Sequence, residues 1–227
     1  MTLRTAALVG LLALAVSTPV LQADGGHHRS RAVYEVTITN VTRDQRFTPI
    51  LVVAHRFGVR LFELGQPASA ELEVLAETGN TGPFETALAS TPGVHGVATS
   101  TGLLGPGMTA KIRVKGHPFD RVSLAGMLIP TNDAFVAING AGPFGRRARS
   151  SFALAYDSGT EVNDELCSSI PGPDFSECGG PGGGGAPEGG EEGFVRVHEG
   201  IHGVGDFDAP SRDWRNPVAK VSIRRIR

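Results

Sequence analysis

Along most of this chain apolar and polar residues alternate with period two, and glycine, proline, asparagine or aspartate closes each short run. A strand sends successive side chains to opposite faces, so this period predicts β-structure, and the brevity of the runs predicts many strands joined by turns. In the first run Tyr34, Val36 and Ile38 alternate with Glu35, Thr37 and Thr39. Further runs at 49–55, 110–115, 122–129, 134–139, 151–156, 194–198 and 218–226 bring the total to about eight strands. The 31 glycines and 15 prolines suit turns, and the low aromatic content of 6% argues against a helical bundle. Helix is scarce. Ser69 can cap one short helix running through Ala76, with Gly79 beyond its end, and residues 84–89 can form another turn or two. The expected fold class is all-β: an antiparallel β-sandwich with one or two short helices.

At 227 residues the chain holds one domain with a sizeable core. Residues 1–23 read as a secretory signal peptide: Arg4 supplies the charge, residues 6–16 form an apolar run, and Ala23 offers a small residue for cleavage. That run is shorter than the roughly twenty apolar residues that a membrane span needs. A disordered mature N-terminus is expected at 24–30, followed by the sandwich domain at 31–227, secreted or periplasmic/extracellular, with no membrane insertion after signal cleavage. A formal net charge of -2 leaves no electrostatic footprint for nucleic acid and no polybasic surface for anionic lipid. Cys167 and Cys178 share one loop, and in an exported chain a disulfide between them is expected. The glycine-dense segment 171–193 holds too little apolar surface to order itself and is expected as a flexible loop.

Residues 198–208 fit HExxHxxGxxD letter for letter, as in zinc metallopeptidases. In that scheme His198, His202 and Asp208 are zinc ligands and Glu199 is the general base. The chemistry requires a helix, because the i, i+4 spacing aims both imidazoles at one ion only there. Gly200 lies between the histidines, Gly203 and Gly205 follow, and the preceding FVRVH alternates as a strand. No methionine follows Met127 to supply a Met-turn. The preferred account is a strand that ends at His198 and runs into a glycine-rich turn. The metallopeptidase is kept as the alternative function. His55, His95 and His117 stand isolated in the sequence, and no P-loop, GxSxG elbow or dinucleotide fingerprint is present.

Oxygen ligands gather where two strands end: Asp133 after the strand closing at Ile129, and Asp157 with Glu161 after the strand closing at Tyr156. If those strands lie side by side, the three carboxylates can serve a hard cation such as Ca2+. A solvated acidic loop with turn and capping roles explains the same residues equally well.

At these residues the sequence resembles the spondin domain of extracellular-matrix proteins, in a bacterial stand-alone form. The likeness is carried by YEVTITNVT at 34–42, FTPILVVAH at 47–55, LFELGQPAS at 61–69, MLIPTNDAFVAING at 127–140, YDSGTEVNDELC at 156–167, HEGIHGVGDFD at 198–208 and DWRNPVAKVSI at 213–223. The resemblance implies a C2-like sandwich, secreted, with one Ca2+ at a loop end. The metal carboxylates of the relatives come from a PxxD segment and a DAGTD loop, which map to Asp133, Asp157 and Glu161. Ser158 stands at the alanine of that loop and Glu161 at its second aspartate. The implied function is a non-catalytic calcium-binding module for adhesion or extracellular interaction, expected as a monomer with an unidentified extracellular protein or glycan ligand.

Overall fold

The structure, a computed structural model, describes residues 31–173 and 175–227; the expected signal peptide and mature N-terminus lie outside the described residues. Among the described residues there are ten strands: β1 (Ala32–Asn40), β2 (Arg46–Phe47), β3 (Leu51–His55), β4 (Val94–Thr99), β5 (Thr109–Gly116), β6 (Arg121–Ile129), β7 (Ala134–Ala141), β8 (Arg149–Asp157), β9 (Arg196–Val197) and β10 (Ala219–Arg225). Three short helices accompany them: α1 (Ala70–Thr78), α2 (Gly82–Ala89) and α3 (Ala209–Arg212). The chain is all-β, as the alternation predicts.

Every strand pairing is antiparallel, in the order β4-β3-β6-β7-β8-β10-β1-β5, with β2 added to β6 and β9 added to β8. The sheet curls until its two ends nearly meet. A Cβ built on Gly96 of β4 would lie 2.0 Å from the carbonyl oxygen of Lys115 on β5, so only glycine allows this approach.

Alternation then sorts the core. Tyr34, Val36 and Ile38 of β1 face the interior together with Val52, Ala54, Leu124, Val136 and Val221. The opposite faces of β3 and β7 are buried too: Leu51, Val53, Phe135 and Ala137 pack against Leu72, Leu75, Phe84 and Leu88 of α1 and α2. Burial on both faces explains why residues 50–54 are apolar without a break. α1 begins where its cap predicts: the Ser69 side chain accepts the Leu72 N–H at 3.3 Å.

Two local outcomes differ from the sequence expectation. β4 carries His95 and Gly96 within its run and has no strand signature of its own; it exists because β3 pairs with it, from Leu51↔Thr99 to His55↔Val94. The run at 194–198 shortens to the two residues of β9, paired with Tyr156 and Asp157 of β8. Cys167 and Cys178 are joined, with an S–S distance of 2.02 Å. The glycine-dense segment makes definite contacts: Phe175 is buried, Gly183 donates its N–H to the Cys167 carbonyl at 2.8 Å, and Glu177 pairs with Arg212 at 2.6 Å. Among the described residues no helix is long and apolar enough to cross a membrane.

Candidate functional site

The β7–β8 ladder decides where the acidic segments go. Ala134 pairs with Asp157, so Asp133, at the close of the β6–β7 turn, lies beside the loop that leaves β8. All three carboxylates anticipated from sequence, Asp133, Asp157 and Glu161, are buried at this end of the sheet.

Asp133 is held by one oxygen. Its Oδ2 accepts from Ser158 Oγ at 2.9 Å and from the N–H groups of Thr160 and Glu161 at 2.8 and 3.2 Å. Its Oδ1 is buried with no hydrogen-bond partner. Glu161 repeats the pattern: Oε1 accepts from the Ala186 N–H at 3.2 Å, and Oε2 is buried without a partner. Ser158 therefore fastens Asp133 through a hydroxyl that alanine lacks. The loop between them needs glycine at 159, where φ is +69° and a Cβ would meet the Phe194 carbonyl oxygen at 2.4 Å.

Asp157 is placed differently. Its Oδ1 accepts the Gly159 N–H at 2.7 Å, while Oδ2 takes Asn163 Nδ2 at 2.7 Å and the Arg196 guanidinium at 3.0 Å. Arg196 also pairs with Glu192 and with Glu199, the latter at 3.1 Å.

Burial dominates the electrostatics. It pushes the Asp133 carboxyl up to about 6, with the Asp157 charge adding to the rise. It pushes Glu161 up to about 7, with Glu77 on α1 contributing next. Asp157 is raised by burial as well, against the opposing hydrogen bond from Asn163 and the Arg196 charge. Asp133 and Glu161 therefore take up protons more readily than free carboxylates, and a bound cation would displace those protons.

The donor set fits a hard cation. Two buried carboxylate oxygens stand without partners, and a buried unpaired oxygen costs free energy that a cation recovers. The three carboxylates are not drawn into one tight cluster: among the described residues the group with ligand atoms all within 4.8 Å of one another is His95, His117 and Asp120.

The HExxH stretch forms no helix. His198 follows β9, donates its N–H to the Ala155 carbonyl at 3.1 Å, and accepts the Gly200 N–H on Nδ1 at 3.0 Å. Its ring is buried against Trp214 and pulled down to about 4 by that burial, so it is neutral. His202 is exposed and Glu199 is spent on Arg196, so the helical arrangement that aims two imidazoles and a base at one ion is absent from 198–208.

Sequence reasoning passed over Arg196, Glu77 and His198 as neighbours of this site. For Arg196 and His198 a signal existed: in FVRVH they lie two apart and so share a strand face. Glu77 had none, because only the docking of α1 brings it there.

With this geometry established, residues 32–142 match the family model of the spondin N-terminal domain. The chain is a spondin-domain protein. The spondin match spans β1 to Ala141 at the end of β7 and one residue beyond; it includes Asp133, whereas Asp157 and Glu161 fall outside it. No curated protein gives a significant match to the chain. A spondin domain is of extracellular type, and its β-architecture agrees with the fold described above.

Proposed function

We propose that this spondin-domain protein is an exported, non-catalytic interaction module for an extracellular protein or glycan, whose strand-end loops are tied together by one Ca2+ ion at Asp133, Asp157 and Glu161. The observation that carries the calcium site is the pair of buried, unpartnered oxygens, Asp133 Oδ1 and Glu161 Oε2. The ion supplies positive charge and oxygen coordination that fasten the β6–β7 turn to the loop after β8. Asp133 and Glu161 present free oxygens, Ser158 and the loop N–H groups orient Asp133, and Asn163 and Arg196 hold Asp157 in place. The absence of a helix at 198–208 favours this reading over the metallopeptidase.

A thermal melt of the chelator-stripped protein tests the site. At Ca2+ a hundredfold above its dissociation constant, stabilisation of about 2.7 kcal/mol raises Tm by roughly 5–10 °C. The rise disappears in Asp133→Asn. A Tm that ignores Ca2+ overturns the calcium site.

A further inference from the structure

His95 and His117, isolated in the sequence, are stacked in space with ring centroids 3.9 Å apart and planes at 28°. Asp120 joins them. His95 Nδ1 lies 2.9 Å from both Asp120 oxygens, and Asp120 Oδ2 accepts the His117 backbone N–H at 2.7 Å. One donor atom from each residue falls within 4.8 Å of the others. Among the described residues the His117 ring nitrogens take part in no hydrogen bond, whereas its carbonyl is fixed by the Tyr34 hydroxyl at 2.6 Å.

We propose that His95, His117 and Asp120 form a second metal site, separate from the acidic loops and suited to a transition-metal ion such as Zn2+. Two imidazole nitrogens and one carboxylate oxygen are a three-ligand zinc set that leaves the fourth position to water. Calcium prefers an all-oxygen shell, so the two sites differ in the ion they select. Ligand atoms around a tetrahedral Zn2+ stand roughly 3.3 Å apart. The 2.9 Å between His95 and Asp120 is already near that spacing, so side-chain rotation alone can admit the ion.

The position gives the site a role. His95 is on β4, and His117 and Asp120 are on the turn from β5 to β6. β4 and β5 are the two ends of the sheet path, and no ladder joins them. An ion here bonds β4 to the β5–β6 turn and closes the sheet at its seam. Asp120 is buried, His95 is partly exposed, and the cleft beside Glu85, Ala89 and Gly96 lets solvent reach it.

The test is a Co2+ titration of the full chain in a His27→Ala, His28→Ala background, which removes two histidines adjacent in the sequence near the N-terminus. One Co2+ per chain is expected, with a visible d–d band displaced by Zn2+ and unaffected by excess Ca2+. His117→Ala, whose lost ring leaves every hydrogen bond described here intact, lowers the affinity at least about tenfold, as does His95→Gln. Asp133→Asn leaves it unchanged. No band in the parent protein overturns the site, and so does an unchanged band in His117→Ala or a band lost in Asp133→Asn. Because the calcium site is read by Ca2+ and Asp133, either proposal can fail alone.

Discussion

Glu165 Oε1 accepts the His202 backbone N–H at 2.6 Å, and Oε2 of the same carboxylate accepts those of Gly203 and Val204 at 2.7 and 3.0 Å. Three successive N–H groups thus converge on one buried carboxylate, an anion-binding nest filled from within the chain. The Asp206 N–H donates to the Glu165 carbonyl at 2.8 Å, and Asp206 Oδ2 accepts the Cys167 N–H at 2.8 Å. The residues that imitate a zinc-protease motif are therefore a turn wrapped around Glu165.

Replacing that carboxylate removes three charge-assisted hydrogen bonds, from the N–H groups of the exposed residues His202, Gly203 and Val204. Glu165→Ala is expected to destabilise the fold by about 2–3 kcal/mol, with Glu165→Gln recovering part of it. Urea denaturation measures both. Equal stability of Glu165→Ala and wild type would show that the turn is held some other way.

Asp133 makes stability depend on pH in a defined direction. Its folded value, about 6, is raised above the usual carboxylate value. Its contribution is fully present below the unfolded value near 3.8 and is lost as pH rises through the folded one. His198, held near 4, works in the opposite sense: its contribution is present above its ordinary value and is lost as pH falls through about 4. The comparison of Asp133→Asn with wild type isolates Asp133. In chelator the variant gains Tm relative to wild type between pH 4 and pH 7, and in excess Ca2+ at pH 7.5 the order reverses.

Arg196 opposes the burial that raises Asp157: the carboxylate is fully buried and the pair is 3.0 Å apart. Arg196→Ala leaves that carboxylate uncompensated. In chelator the loss of stability is expected to be about 3 kcal/mol, the lower end for breaking a buried pair. Added Ca2+ restores more Tm to the variant than to wild type, because the ion takes over the neutralisation. Melts in the two conditions check this.

The Cys167–Cys178 bridge closes a loop with a sequence separation of 11. By chain entropy, Cys167→Ser/Cys178→Ser costs roughly 2–3 kcal/mol. Local loosening is expected around Phe175 and Glu177, which dock the loop on Phe207 and Arg212. Hydrogen exchange of the Gly183 N–H, bonded to the Cys167 carbonyl, reports it.

What the sequence determined by itself is local. Period-two alternation specified β1 and β8, a short apolar run specified β6, the Ser69 cap started α1, and the strand ends at Ile129 and Tyr156 located Asp133, Asp157 and Glu161. Each of these needs only a few consecutive residues, because strand and helix periods are properties of the backbone. The remaining features depend on contacts between distant segments. β4 exists because β3 pairs with it, Arg196 reaches Asp157 because β9 joins β8, and His95 meets His117 because the sheet curls until β4 reaches the β5–β6 turn. The same folding turned HExxH from a helix motif into a turn around Glu165. A helix aligns residues by spacing alone, whereas a sheet brings residues together by register between distant segments, and no short window of sequence contains that register.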